Sequence, residues 1–286
     1  MKKLNLNSDS DAKKMMEFFP EIDLKYSVSK DEVWEKISRQ ISESQPGNRK
    51  VIKLNPLYKV AVAASLFLLL GVTGFLRYYS KTVYSPAGQH LTLCLPDSSI
   101  INLNAQSTIK YHPYWFSFSR KVTLEGEAFF KVISGNQFKV ISRRGETTVI
   151  GTSFNIYSRN NDYNVTCFTG KVRVVSAEKN EKVLLNPSEQ AFINKDGFLR
   201  IAQNPNYKTV KSWMDNMFVF TGSSVINVIE EIERQYNIKI IFKADPNLTY
   251  TGNFSKSLSE KEVLDLVCTS LGLKFEARSG AEYLVD

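Results

Sequence analysis

Between Lys59 and Arg77 the chain reads KVAVAASLFLLLGVTGFLR, seventeen uncharged and mostly apolar residues closed at each end by a cation. At about 1.5 Å per residue the run makes roughly 25 Å of helix, the short end of what a bilayer core requires. Tyr58, Tyr78 and Tyr79 stand at its ends, where amphipathic rings settle at the headgroup level and lengthen the effective span. A helix buried in a soluble core usually keeps a polar face, and this one offers only Ser65, Thr73 and small residues. A cleaved signal peptide carries its apolar stretch at the N-terminus, whereas here about sixty residues come first. The run therefore predicts a single transmembrane helix, taken as residues 59–79. Arg49, Lys50, Lys53 and Lys59 precede it, against Arg77 and Lys81 after it. That cation bias puts the N-terminus in the cytoplasm and the long C-terminal part outside. In a Gram-negative cell these are the two sides of the inner membrane, with the C-terminus in the periplasm.

The rest of the chain is composed like an ordinary folded protein, with 43% hydrophobic and 12% aromatic residues, and can build cores. Its net charge of +8 is spread thinly: residues 1–59 hold twelve Lys or Arg against nine Asp or Glu, and no basic block follows. Without a basic stripe or a reading motif, direct nucleic-acid binding is not expected. Cys94, Cys167 and Cys268 fit neither a zinc site nor a disulfide framework, and His90 and His112 stand at no ligand spacing. No metal and no cofactor are expected. Nor is there a Gly-rich phosphate loop, a Gly-x-Ser-x-Gly elbow or a dinucleotide fingerprint, so the expectation is that the chain is not an enzyme. Glu125 and Glu127 flank Gly126 and as a pair suggest glycoside cleavage, but residues two apart on a strand share a face. Here that is the polar face, which predicts two solvated carboxylates.

The inner segment, residues 1–58, contains VSKDEVWEKISRQISES. Val33, Ile37 and Ile41 recur with period four, Trp34 adjoins them, and Asp31, Glu35, Lys36 and Arg39 lie beside or opposite. This is the pattern of an amphipathic helix. So short a segment has little core of its own, which favours a partner-binding face. A helix lying on the membrane surface is the other reading.

Beyond the span, even positions from Val122 through Leu124, Gly126, Ala128, Phe130 and Val132 are apolar or small, while Thr123, Glu125, Glu127 and Lys131 are polar. Period two marks a half-buried strand. Shorter runs follow at residues 138–141, 147–150, 154–157, 165–168, 171–175 and 183–185, punctuated by Gly135-Asn136, Arg144-Gly145, residues 160–162 and Asn186-Pro187. Many short strands with regular turns predict an all-β sandwich or roll over residues 84–204. After Asn204-Pro205-Asn206 the pattern becomes mixed. A strand at residues 217–220 precedes a helix with Val225, Val228, Ile229, Ile232 and Tyr236 on one face, ending near Asn237. Strands at residues 238–242 and 250–254 lead to a second helix signed by Ser259 and Glu262 as a capping box and stopped at Gly272, with Phe275 and Leu284 on closing strands. The order β-α-β-β-α-β predicts a small α+β split βαβ module over residues 208–286.

Two local features admit two readings each. In VIGTSFNIY, the Thr152 hydroxyl beside flexible Gly151 could attack the preceding carbonyl and cleave the backbone through an ester. A strand-to-strand turn that needs glycine for its dihedrals is the favoured reading. The run Tyr111, Tyr114, Trp115 and Phe116 is either loop packing, which is favoured, or a platform for carbohydrate or cell wall. The latter would make the chain a single-pass wall-binding protein.

The motifs themselves point to a family. LPDSSIINLNAQSTIKY, then RKVTLEGEAFFKV, VIGTSFNIYS and FTGKVRVV closely resemble, in order, the signatures of FecR-type anti-sigma factors. The W-x-x-x-x-F-x-F stretch from Trp213, EEIERQYNIKIIF, YTGNF and LSEKEVLDLV resemble that family's C-terminal module. Inside, the likeness is loose and rests mainly on VWEKI at 33–37. Two turns depart from the pattern: Ser98-Ser99 replaces a usual Gly-Ser or Gly-Thr, and residues 186–190 replace Pro-Gly-Gln. The resemblance implies that the inner segment binds an extracytoplasmic-function sigma factor, here through Val33, Trp34, Ile37 and Ile41. It implies that the outer module meets the signalling domain of a TonB-dependent outer-membrane transducer. It also implies release by stepwise proteolysis ending with an intramembrane protease, for which the helix-weakening Gly71, Thr73 and Gly74 mark the expected region.

Overall fold

The computed structural model describes residues 27–43, 56–194, 196–204, 206–278 and 280–286. The cations Arg49, Lys50 and Lys53, Pro205, and the parts of the inner segment before residue 27 and at 44–55 lie outside them. The chain divides into two compact units, residues 1–64 and 65–286.

Within the first, helix α1 (Lys30–Glu43) starts on a reciprocal cap. The Glu32 amide donates to Ser29 Oγ at 3.2 Å, and Glu32 Oε2 accepts from the Ser29 amide at 3.3 Å. Asp31 and Glu32 in the first turn also suit the positive end of the helix dipole. Helix α2 (Pro56–Tyr78) follows. Its segment Leu57–Tyr78 has a mean hydropathy of 2.0 and no buried residues, so length and composition suit a membrane crossing.

Thirteen strands come next among the described residues: β1 (Lys81–Ser85), β2 (Leu91–Cys94), β3 (Ile100–Leu103), β4 (Ser107–Tyr111), β5 (Arg120–Lys131), β6 (Phe138–Ile141), β7 (Gly145–Val149), β8 (Ser153–Arg159), β9 (Asp162–Thr169), β10 (Val172–Ser176), β11 (Lys182–Leu185), β12 (Glu189–Ile193) and β13 (Leu199–Gln203). They form two leaves that share β5. One runs β1-β4-β5-β6-β7-β10-β11 and the other β2-β3-β5-β8-β9-β12-β13. Every pair is antiparallel except β5 with β6. The strand changes leaf at Gly126: Thr123, Leu124 and Glu125 pair with β4, and Ala128 to Lys131 pair with β3. Gly126 has φ +106°, and a Cβ there would lie 2.5 Å from Ser107 Oγ, so only glycine fits the corner.

The inward faces of both leaves meet in one core around Ile101, Leu103, Ile109, Leu124, Ile156 and Val165, with Phe130 stacked on Phe154 at 4.9 Å. Each such side chain contributes about 1.5–3 kcal/mol on burial. Two of the sequence motifs are tied together beneath this core. Arg120 is buried, and its Nε donates to Asp97 Oδ2 at 2.7 Å while its other nitrogens reach the carbonyls of Ile133 and Asn136. LPDSS and RKV are therefore two halves of one buried ion pair, which is strong because each charge is also hydrogen-bonded. Ser98 in the same turn has φ 65° and Ser188 has φ 68°. Both hold a left-handed backbone that glycine adopts without strain, which explains why these two turns look irregular for the family.

The chain ends in a smaller body. A 3-10 segment (Tyr207–Asp215) leads into β14 (Met217–Ser224), α3 (Val225–Tyr236), β15 (Lys239–Phe242), β16 (Thr249–Ser255), α4 (Glu260–Leu271), β17 (Phe275–Ala277) and β18 (Glu282–Val285). The strands fall into two small sheets, β14 with β16 and β15-β18-β17, rather than one. Asn237 at φ 54° caps α3, and α4 carries the Ser259–Glu262 capping box and ends at Gly272 with φ 70°. Val225, Val228, Ile229 and Ile232 of α3 pack with Val263, Leu264 and Val267 of α4.

Candidate functional site

Helix α1 presents a stripe of apolar side chains with no buried member. Trp34 is 69% exposed, and Val33, Ile37 and Ile41 are exposed along the same side. The opposite side is polar, with Arg39 paired to Glu35 at 2.9 Å. Covering an indole flanked by aliphatic residues would remove a large apolar area from water.

Gly71, Thr73 and Gly74 lie within one uninterrupted stretch of α2. A Cβ at either glycine would meet nothing within 4 Å, so neither is required by packing.

At Gly151 the reason for glycine differs from the expected one. Its φ is not positive, and a Cβ there would clash with Ser134 at 2.3 Å from Oγ, so close approach rather than dihedral freedom selects it. Thr152 is buried, and its hydroxyl has no hydrogen-bond partner among the described residues. No side chain is therefore placed to take its proton.

The aromatic run does not share one face. Tyr111 and Phe116 are core residues in edge contact at 5.9 Å. Tyr114 and Trp115 instead meet the end of α2: Tyr114 lies 5.4 Å from Tyr79, and the Arg77 guanidinium sits 4.9 Å over Trp115.

The sequence pattern missed the most concentrated polar chemistry, which lies where the small C-terminal body packs on the β leaves. Glu127 is only 7% exposed, not solvated as its strand alternation predicts. The reason is a second cover: from Gly126 to Phe130, β5 is buried on both faces, and Phe129 on the nominally polar face belongs to the core of the C-terminal body with Trp213 and Phe218. Glu127 accepts from Asn104 Nδ2 at 2.9 Å and from Asn155 Nδ2 at 2.8 Å. From the other side, Gln235 Nε2 of α3 donates to Asn104 Oδ1 and to Glu231 Oε1, both at 2.7 Å, and Gln235 Oε1 faces His90 Nε2 at 3.0 Å. Glu231 is paired with Arg234 at 2.9 Å.

The two buried carboxyls are pushed apart. Burial, with the nearby Glu231 charge, raises Glu127 to about 7. Burial also works against Glu231, but Arg234 and Arg159, helped by hydrogen bonds, hold it below the usual carboxylate range. His90 is lowered by burial and stays neutral more readily. A cleft of about 230 Å³ opens beside Glu127, Glu231 and Trp213. Residues that could have signalled this junction are Phe129 on a polar face and Glu231, Arg234 and Gln235 among the buried positions of α3. Among the described residues no group of His, Cys, Asp and Glu is arranged to hold a metal ion.

The described residues thus comprise an exposed amphipathic helix, one helix of membrane-crossing length and a β body carrying a docked α+β body. Two family models match in succession, FecR protein over residues 81–173 and FecR, C-terminal over residues 217–285. Two crystal structures of a candidate anti-sigma factor from Parabacteroides distasonis ATCC 8503 superpose with TM-scores of 0.67 and 0.66 at 27% and 26% identity. Each covers 72% of this chain and 98% of the other. No curated protein sequence matches. The chain belongs to the FecR family.

Proposed function

We propose that the chain is a membrane-bound anti-sigma factor. It holds an extracytoplasmic-function sigma factor through α1 and carries a signal from a TonB-dependent outer-membrane transducer across the inner membrane. The observation that carries the reading is the exposed Val33, Trp34 and Ile37 stripe on a member of this family. Residues 1–58 form the cytoplasmic segment, 59–79 the span, 84–204 a periplasmic body of sandwich or roll type, and 208–286 an α+β signalling module whose strands lie in two small sheets. The N-terminus faces the cytoplasm, and no cofactor, metal or nucleic acid takes part.

The module receives the transducer. Its junction with the β body combines paired charges and amides, groups that rehydrate on separation, with the apolar contact of Phe129 on Trp213 and Phe218. Release ends with an intramembrane cut in the region of Gly71, Thr73 and Gly74. Replacing both glycines by Leu, which meets no steric obstacle in the helix, should suppress the released inner fragment; an unaltered fragment contradicts this. Gly151-Thr152 acts as a turn, and an intact-mass spectrum should show one uncut chain there, with two fragments meeting at Gly151 as the result that reinstates self-cleavage.

The central reading is tested with the full chain carrying Trp34→Ala and Ile37→Ala. The sigma factor should no longer co-purify and its target genes should rise in expression, since an interface anchor of this kind is worth about 2 kcal/mol or more. Unchanged co-purification contradicts it.

A further inference from the structure

The end of α2 does not leave the β body through a free linker. The Tyr79 carbonyl lies 2.9 Å from His112 Nδ1, Tyr79 packs on Tyr114, and Arg77 lies over Trp115. Trp115 in turn packs at 4.8 Å against Phe118, which is 77% exposed. Tyr78 and Tyr114 are exposed beside it. The strand registers place cations at the same end of the leaf. Lys81 opens β1 opposite Tyr111 at the end of β4, and Lys121, next to Val122 opposite that same Tyr111, is likewise exposed.

We propose that the turn at residues 112–118 is a membrane-surface foot. In this reading Tyr114, Trp115 and Phe118 sit in the headgroup layer around the exit of α2, with Arg77, Lys81 and Lys121 facing lipid phosphates. The occupant is the bilayer because of continuity: Tyr78 and Arg77 are the last turn of the helix, so whatever surrounds that turn also surrounds side chains stacked directly on it. Indole and phenol rings with a polar edge favour this layer, and Phe118 beside them, packed on Trp115, still exposes most of its ring. Cations at the same rim add attraction to anionic lipid. The inference rests on the membrane-spanning reading of α2, and it adds that the folded body itself, not just the helix, is seated on the membrane.

The test uses the full chain with Cys94→Ser, reconstituted in phosphatidylethanolamine and phosphatidylglycerol vesicles. Nitroxide labels are placed singly at Phe118→Cys, Ser117→Cys, Leu69→Cys and Lys179→Cys, the last at the opposite end of the leaf. Collision with oxygen relative to a water-soluble nickel chelate reports depth. Labels at 117 and 118 should show a ratio several-fold above that at 179 and below that at 69. If 69 is deep while 117 and 118 match 179, the foot is wrong and the span stands. If 69 is itself aqueous, the spanning reading fails and the foot falls with it.

Discussion

Helices α1 and α3 are both amphipathic, and they come to opposite ends. The stripe of α3, from Val225 through Val228, Ile229 and Ile232, is buried under α4 and the strands around it. The stripe of α1, from Val33 through Trp34 and Ile37, is exposed along its length. Both stripes are apolar, so both gain by being covered, at roughly 25 cal/mol per Å². What differs is who supplies the cover. For α3 it is the helix's own body; for α1 it is proposed to be another protein. A stripe left exposed among the described residues thus raises a question of binding, and the same stripe with a cover is a statement about stability.

The largest expected effect separates these two outcomes. Ile232→Ala removes fully buried side-chain atoms and leaves a cavity, so it should destabilise the outer part by about 3–4 kcal/mol in urea unfolding of the detergent-solubilised chain. Ile37→Ala in α1 should stay within about 0.5 kcal/mol of wild type in the same experiment. Comparable losses at both positions would mean that α1 has a cover within the chain after all.

Next in size is the polar seam on which α3 docks. A carboxyl raised by folding binds its proton more tightly in the folded state, so Glu127 stabilises most below its unfolded value near 4.5 and loses that contribution as pH rises to about 7. The loss is on the order of 2 kcal/mol. Glu127→Gln should remove this dependence because the amide does not titrate, and Asn155 Oδ1, without a hydrogen-bond partner among the described residues, can turn to accept from it. Unfolding midpoints at pH 5 and pH 8 should therefore differ in wild type and converge in the variant. An unchanged slope would place the titrating group elsewhere.

The smallest effect tests whether α1 is a preformed helix. Ser29→Ala deletes the side-chain half of its cap, worth about 1 kcal/mol. Affinity for the sigma factor should fall roughly fivefold with Trp34 untouched, as read by titration; no change would mean that the helix forms only on binding and owes nothing to its cap.

How much of this could be read from the chain depended on the range over which each signal acts. The apolar helix of membrane-crossing length, the stripe of α1, the capping box of α4 and the alternation of β5 are local patterns, and each reads directly. Arg120 and Asp97 are 23 positions apart, and nothing in their spacing says that they form one buried pair. Glu127 was misread for a related reason. Period two distinguishes the two faces of a strand but not whether the second face meets water or another body, and a face lined with Glu, Asn and Arg that satisfy one another looks polar in either case. Phe129 was the local residue that did not fit a solvated face. The two-sheet arrangement of the small body was similarly beyond reach, because the order of its elements is compatible with one sheet or two.

The central claim, that the stripe of α1 is covered by a sigma factor, is tested most directly by a photo-crosslinking side chain at position 34 in the full-length protein in cells, with position 36 on the polar side as the comparison. The account predicts a crosslink to a sigma factor from 34 and none from 36. A crosslink from 34 to lipid alone, or equal yields from both positions, would contradict it and return α1 to the membrane surface.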